Sequence, residues 1–134
     1  METAPTRVVI VDDSQPFRKA LCDILQKRPD LMVVAEAENG HAGIQAVEKH
    51  NPDIVLMDIS MPALNGIDAT RIITNRFPDT RVIVLTMHAD ETFSDLARTA
   101  GACHFLGKDC LNKEKLLSAI EHSLAFKSWM QDSF

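Results

Sequence analysis

The stretch that decides the fold is 51-NPDIVLMDISMP-62, in which the apolar run 54–57 ends at a carboxylate, Asp58. The run is too short for a buried helix and shows no alternation of polar and apolar residues. It therefore predicts a strand of a parallel sheet that is covered on both faces. Burying a charge is costly unless another group compensates it. The position of Asp58 marks it as a candidate functional residue.

Five runs of this kind alternate with five longer segments in which apolar residues recur every three or four positions, as in amphipathic helices. This alternation predicts an α/β fold with five helices packed on one parallel sheet of five strands. Right-handed crossovers favour the doubly wound, flavodoxin-like strand order 2-1-3-4-5. The predicted strands are 8–11, 31–35, 54–57, 82–85 and 103–106, and the helices are marked by apolar residues within 17–25, 44–47, 69–77, 93–100 and 116–124.

Residues typical of helix ends support these limits. Ser14 is the predicted N-cap of the first helix, and Pro16 lies in its first turn. The second helix is expected to stop near Asn51 and the third at Pro78, while Gly101 lies at the C-terminal side of the fourth.

The composition indicates one soluble domain. A chain of 134 residues is about one domain long, and no stretch approaches the ~18 consecutive apolar residues of a transmembrane helix. The 14 Lys and Arg residues against 19 Asp and Glu residues give a net charge of −5, which disfavours direct nucleic-acid binding by this segment. Three cysteines without a CxxC pair, and the lack of a secretory signal, predict reduced thiols and a cytoplasmic location.

Polar residues follow four of the five predicted strands. Asp12 and Asp13 follow the first strand, Asp58 the third and Thr86 the fourth, and Lys108 comes soon after the fifth. The carboxyl ends of parallel strands share one edge of the sheet, and ligands bind there near the switch in strand order. We therefore expect these five side chains to share one pocket.

Three carboxylates at one edge need positive charge nearby. At ~4 Å, and with an effective dielectric constant of about 20, each pair repels by ~4 kcal/mol. Mg²⁺ suits such a site because it takes one or two carboxylates, waters and a phosphate oxygen as ligands. Lys108 supplies a second positive charge, and the Thr86 hydroxyl is suited to a phosphoryl oxygen. Glu36 and Glu38, on the edge strand, are expected to lie away from this pocket.

The motifs VVIVDDS (8–14), DIVLMDISMP (53–62), NG (65–66), VIVLTMHAD (82–90) and GKD (107–109) together resemble the receiver domain of bacterial two-component response regulators, which has the CheY-like fold. The resemblance covers about residues 6–126. It leaves 1–5 as an N-terminal tail and 127–134 as a C-terminal tail or the start of a linker to an effector domain outside this chain.

The resemblance implies a role for each acidic residue. Asp58 would be the phosphoacceptor, taking a phosphoryl group from a sensor histidine kinase or a histidine phosphotransfer protein. Asp13 and Asp58 would bind Mg²⁺ together with the backbone carbonyl of Ser60, and Asp12 would hold a metal-bound water. The domain would thus be a regulatory phosphoacceptor rather than an enzyme, catalysing only its own phosphorylation and dephosphorylation.

The resemblance also implies how the modification is read. Lys108 would pair with the phosphoryl group, and Thr86 would rotate toward it. Phe105 occupies the position of a switch aromatic residue, although a core residue of the fifth strand is an equally good interpretation. The fourth helix, the fifth strand and the fifth helix would form the output face.

Three further positions lie next to the predicted site: Ser60, Met87 and His88. Ser60 and His88 are expected to flank the path of an attacking water, and by analogy with the family such positions tune the lifetime of the phosphoryl group. Met87 is bulkier than the small residue often found at its position in the family, so it is expected to narrow access to the site. LTMHAD (85–90), together with Lys108-Asp109, most resembles regulators of the NarL/FixJ type, whose second domain is a LuxR-type DNA-binding domain. This predicts transcription regulation as the output. Homodimerisation on phosphorylation is left open.

Three other functions were considered against the sequence. A Mg²⁺-dependent phosphatase of the haloacid-dehalogenase kind forms an aspartyl phosphate too, but it needs a carboxylate two residues after the nucleophile, where this chain has Ser60. A stand-alone receiver that serves only as a protein-binding module is disfavoured by the complete set of acids, Thr86 and Lys108. A flavodoxin-type flavin carrier is disfavoured because the loop DDSQPF (12–17) is acidic where a phosphate would bind.

Overall fold

The computed structural model describes residues 4–59, 65–87 and 91–132. Strands and helices alternate along the described residues, and a 3₁₀ turn, Lys108–Cys110, precedes the last helix. The elements are β1 (Thr6–Val11), α1 (Gln15–Gln26), β2 (Leu31–Ala37), α2 (Gly40–His50), β3 (Ile54–Asp58), α3 (Gly66–Arg76), β4 (Arg81–Thr86), α4 (Glu91–Thr99), β5 (His104–Gly107) and α5 (Lys113–Asp132).

The five strands form one parallel sheet in the order β2-β1-β3-β4-β5, which confirms the predicted fold and strand order. β3 lies at the centre, where Leu56 pairs with Ile10 of β1 and with Ile83 of β4. Every residue of β3 is buried, as expected for a strand covered on both faces. The stretch that ends in Asp58 is therefore the middle of the sheet.

Helices cover both faces of this sheet. α1 and α5 pack on one face through residues such as Leu25 and Ile120. α2, α3 and α4 pack on the opposite face through residues such as Val47, Ile73 and Ala97. Because successive side chains of a strand point to opposite faces, each apolar run contributes to both cores.

The predicted helix ends are confirmed by local contacts. The Ser14 hydroxyl accepts a hydrogen bond from the backbone N–H of Phe17 at 3.3 Å, which is the N-cap of α1. Asn51 closes α2 in the left-handed conformation, with φ of 47°. α3 ends two residues before Pro78. Gly101, with φ of 106°, makes the turn after α4 that only glycine adopts without strain.

The strands are longer than the apolar runs that predicted them. β1 begins at Thr6, which pairs with Leu31, and β4 begins at Arg81, which pairs with Ile54. Backbone pairing depends on the N–H and C=O groups, so it continues past the point where the side chains become polar. The last strand is displaced by one residue from its predicted position, to His104–Gly107.

The last helix runs on through Asp132, so most of the predicted tail 127–134 is helical. The division of the chain into 1–5, 6–126 and 127–134 stays a prediction. Among the residues that the structure describes, no helix is both long enough and apolar enough to cross a membrane.

Candidate functional site

Three carboxylates meet at the C-terminal edge of the sheet, as predicted. One oxygen from each of Asp12, Asp13 and Asp58 lies within 4.8 Å of the other two. Asp12 and Asp58 are only 1% and 2% exposed, whereas Asp13 is exposed. Asp58 is the last residue of β3 and Asp12 directly follows β1, so both are held by the sheet, whereas Asp13 faces solvent, where a ligand would enter.

The Lys108 side chain reaches this cluster from the 3₁₀ turn that follows β5. Its Nζ lies 2.6 Å from Asp12 Oδ2 and 3.5 Å from Asp58 Oδ2, and the side chain is 10% exposed. The residue before it, Gly107, has ordinary extended backbone geometry and is paired with Thr86 of β4. The structure therefore brings Lys108 to the carboxylates as predicted.

A hydrogen-bond network holds the loop between β1 and α1 in place. Asp12 Oδ1 accepts a hydrogen bond from the Ser14 N–H at 2.8 Å, and the Asp12 N–H donates to the carbonyl of Ala37. Arg18 Nη1 donates to the Asp12 carbonyl at 2.6 Å, while Arg18 Nε donates to Glu36 Oε1 at 3.2 Å. Glu36 is thus linked to the loop through an arginine that the sequence analysis did not single out.

The residues at this edge fit a divalent cation. Among the residues that the structure describes, three carboxylates lie around the Lys108 ammonium, so negative charge exceeds positive charge in the cluster. Asp12 Oδ2 is buried and, although Lys108 lies beside it, accepts no hydrogen bond of good geometry from the described residues. Hard dications prefer carboxylate oxygens as ligands. The predicted fourth ligand, the carbonyl of Ser60, falls outside the described residues.

Thr86 and Phe105 lie on the face of the sheet that α2, α3 and α4 cover. Thr86 is fully buried at the end of β4, two residues after Val84, which pairs with Phe105 of β5. Phe105 is half-buried and borders a cleft of about 280 Å³ between α4 and β5, with Ala97 on its far side. The two predicted switch residues therefore lie on one face of the sheet, and Phe105 borders an open cleft there.

Of the predicted tuning residues, only one can be placed. Met87 directly follows Thr86 and is 58% exposed, so its side chain stands at the surface beside the site. His88 and Ser60 fall outside the described residues.

The start of α3 packs directly against the phosphoacceptor candidate. A Cβ added to Gly66 would lie 2.7 Å from the carbonyl carbon of Asp58 and 2.6 Å from Ile59 Cα, and closer still to the Asp58 carbonyl oxygen. Asn65 caps this helix by accepting a hydrogen bond from the Asp68 N–H. The NG motif thus combines a helix cap, Asn65, with a glycine, whose lack of a Cβ allows α3 to approach the end of β3 this closely.

One aromatic contact was also missed. The ring of Phe17, in the first turn of α1, lies under the lysine, with 4.3 Å between Lys108 Nζ and the ring centroid. The helical spacing identified Phe17 only as an apolar residue facing the core, which it is in part. The sequence offered one indication of this contact, because Phe17 directly follows Pro16 and lies only four residues after Asp13 of the acidic loop.

Comparison with known proteins identifies the family of this fold. Residues 8–121 match the family model described as the response regulator receiver domain. The chain belongs to this family. The receiver domain is a regulatory phosphoacceptor domain of two-component systems, so the predicted family and function class are confirmed.

Similar receiver domains occur in proteins with different outputs. The transcriptional regulatory protein DegU of Brevibacillus brevis is 41% identical over 115 residues, covering 86% of this chain and 48% of that protein. A protein-glutamate methylesterase/protein-glutamine glutaminase of Oleidesulfovibrio alaskensis is 37% identical over 122 residues, covering 90% of this chain and 33% of that protein. This receiver domain spans half or less of these relatives.

Solved structures agree with the sequence relatives. A two-component response regulator of the LuxR family from Aurantimonas sp. SI85-9A1 has a TM-score of 0.85 and 34% identity, covering 91% of this chain and 86% of that one. The similarity to LuxR-family regulators matches the subfamily that LTMHAD (85–90) predicted.

Proposed function

We propose that Asp58 is the phosphoacceptor of this receiver domain and takes a phosphoryl group from the phosphohistidine of a sensor histidine kinase or a histidine phosphotransfer protein. One observation supports this most directly. Lys108 Nζ lies between two almost fully buried carboxylates, Asp12 and Asp58, at the edge where the acidic cluster meets solvent. An ammonium fixed there is placed to neutralise charge on an incoming phosphoryl group.

Asp58 is the best nucleophile of the three carboxylates. Asp12 already uses Oδ1 to accept from Ser14, and its Oδ2 is the nearer contact of Lys108. Asp13 is exposed, so solvent competes for its oxygens. In the transfer, an Asp58 carboxylate oxygen bonds to phosphorus as the bond from phosphorus to the donor imidazole breaks. The imidazole keeps the electron pair and takes a proton from solvent.

Asp13 and Asp58 would hold Mg²⁺ together with the carbonyl of Ser60, and Asp12 would orient a bound water. When bound, the dication neutralises charge on the phosphoryl oxygens and offsets the repulsion between them and the carboxylates. Hydrolysis later returns Asp58 to a carboxylate and releases inorganic phosphate, with water as the nucleophile. Ser60, Met87 and His88 are proposed to set the rate of that water's approach.

The modification adds about −1.5 to −2 charges at pH 7 to the end of β3. Lys108 and Thr86 are the groups that respond, the lysine through its charge and the threonine by turning its hydroxyl toward a phosphoryl oxygen. Movement of Thr86 opens space on the face that it shares with Phe105, whose ring borders the cleft next to α4. The proposed output surface is therefore α4, β5 and α5.

We propose control of transcription through a DNA-binding domain, because DegU is named as a transcriptional regulatory protein and a LuxR-family regulator shares the fold. The receiver domain would act through protein contacts, including a homodimer formed on phosphorylation, and not by binding DNA.

Intact-mass measurement tests the assignment. The protein is incubated with acetyl phosphate, with and without Mg²⁺, and we expect a gain of one phosphoryl group that depends on the metal. Asp58→Asn should abolish the gain, whereas the matched control Asp68→Asn, at an exposed position in α3, should retain it. Uptake that survives Asp58→Asn, or no uptake by the unaltered protein, would contradict the proposal.

A further inference from the structure

We propose that Phe17 is a positioning residue: its ring holds the Lys108 ammonium beside Asp58, so phosphoryl uptake depends on an aromatic face at position 17. This inference rests on the proposed role of Asp58. The observation behind it is the 4.3 Å distance from Lys108 Nζ to the Phe17 ring centroid. That distance is well inside the ~6 Å range of a cation–π interaction.

Among the described residues, three groups lie around the ammonium. Asp12 Oδ2 lies at 2.6 Å, Asp58 Oδ2 at 3.5 Å and the Phe17 ring at 4.3 Å, and the lysine side chain is 10% exposed. The ring occupies a side that water would otherwise fill. Excluding water strengthens the attraction between the ammonium and both carboxylates, because the local dielectric constant falls. The ring also restricts a flexible four-carbon side chain.

The ring is itself held in place. Phe17 lies in the first turn of α1, where its backbone N–H donates to the Ser14 hydroxyl at 3.3 Å. Its side chain is half-buried and packs on the sheet face that carries Ile10 and Leu56. The cap that starts α1 therefore also fixes the ring under the lysine, and it does so within the same loop that supplies Asp12.

A ring suits this place better than another charged group. Lys108 lies closer to Asp12 than to Asp58 in the unmodified protein, by 2.6 Å against 3.5 Å. It must shift toward Asp58 to pair with a phosphoryl group. An aromatic face attracts a cation without a fixed hydrogen-bond direction. The ammonium can thus move from Asp12 toward Asp58 without leaving the ring, whereas a carboxylate in place of the ring would hold the ammonium back.

Graded fluorination of the ring tests this interaction. Phenylalanine at position 17 is replaced by its 4-fluoro, 3,5-difluoro and 3,4,5-trifluoro forms, which keep the shape but weaken the negative face. The rate of phosphoryl uptake from acetyl phosphate at fixed Mg²⁺ should fall stepwise, by about tenfold across the series. Phe17→Leu should match the lowest rate, and Phe17→Trp should restore the rate of the unaltered protein.

Phe77→Leu is the matched control. Phe77 also lies beside a cation, with Arg76 Cζ 5.1 Å from its ring centroid, but it sits at the C-terminal end of α3, away from the acidic edge. Its substitution should leave the uptake rate unchanged, even though it removes a partly buried ring. Equal losses in Phe77→Leu and Phe17→Leu would overturn the proposal, since they would indicate a general loss of packing.

A second measurement separates the two proposals. The ε-CH₂ protons of Lys108 should show an upfield ring-current shift by NMR, and the shift should disappear in Phe17→Leu. If the unaltered protein takes up no phosphoryl group, the proposed role of Asp58 fails. If uptake depends on Asp58 but the fluorinated series is flat, or Lys108 lacks the ring-current shift, the role of Asp58 stands and the inference about Phe17 is overturned.

Discussion

Replacing Gly66 with alanine should move the backbone of Asp58. The added Cβ would lie 2.6 Å from Ile59 Cα and 2.7 Å from the Asp58 carbonyl carbon, whereas ordinary contacts of a Cβ begin at 3.4 Å. α3 and the end of β3 must therefore separate by about 0.8 Å or more. The neighbours are backbone atoms of a buried strand, so no flexible side chain can turn aside to make room.

That displacement should change both the free energy of unfolding and the rate of phosphoryl uptake. Overpacking of this kind lowers the free energy of unfolding by about 1–3 kcal/mol. The better helix propensity of alanine offsets less than about 1 kcal/mol of this. The effect on the reaction should be larger, because a misplacement of about 1 Å costs on the order of a hundredfold in rate. Phosphoryl uptake by Gly66→Ala should thus fall by about two orders of magnitude while most of the protein stays folded.

Gly101→Ala is the control that separates these effects. A Cβ there would lie 2.6 Å from Thr74 Oγ1, at a φ of 106°, so this variant should also lose about 1–3 kcal/mol. Gly101 precedes β5 and is therefore at the opposite edge of the sheet from Asp58. Urea unfolding and uptake from acetyl phosphate should be measured on both variants. Uptake by Gly66→Ala at the unaltered rate, or equal slowing in both, would refute the reasoning.

Three further expectations concern charged and ionisable side chains. Lys108→Met should lower the free energy of unfolding by about 3 kcal/mol, since it leaves Asp12 without the ion pair that offsets its burial, and added Mg²⁺ should restore part of the loss in urea unfolding. Arg18→Met should weaken Mg²⁺ binding by about tenfold in a titration, because it removes the donor to the Asp12 carbonyl; unchanged affinity would exclude that role. Burial, and next the negative charge of Glu36, raise the pKa of Cys22 from 9.0 to about 11, so the unfolded chain loses this proton at lower pH than the folded protein. The free energy of unfolding should therefore decrease as the pH rises from about 9 to 11, and Cys22→Ala should flatten that dependence.

The fold was readable from the sequence because its decisive features are local. Each strand was marked by an apolar run that is too short to be a buried helix. Each crossover was marked by apolar residues that recur every three or four positions. The strand limits were predicted less accurately. Thr6 belongs to β1 because its backbone pairs with Leu31 of the neighbouring strand, and the residue pattern of β1 alone does not show where that pairing begins. The acids and Lys108 were found because residues at the ends of parallel strands must share an edge.

The residues that support the site were harder to find. Phe17 and Arg18 lie in the first turn of a helix, and which of them faces the lysine and which the Asp12 carbonyl depends on how α1 is rotated against the sheet. A periodic pattern shows which side of the helix faces the core, but not which neighbouring residue contacts a particular atom. Gly66 was part of a recognised motif, but the close approach of α3 to Asp58 is a distance in space that no spacing along the chain reveals.

The placement of the responding groups bears on how a single phosphoryl group can act as a switch. A shift from 1:99 to 99:1 between two states needs about 5.5 kcal/mol of differential interaction. A hydrogen bond to a charged group contributes about 1.5–3 kcal/mol, so one such bond is too weak and two suffice only near the top of that range. The structure supplies two groups in suitable places, Lys108 from the 3₁₀ turn beside α1 and Thr86 on the face shared with Phe105. Because they lie on different faces of the sheet, a phosphoryl group on Asp58 would pull on both layers of helices at once. Full switching then requires both groups, and the lysine can contribute only if it is already held beside Asp58, which is the role we assign to the Phe17 ring.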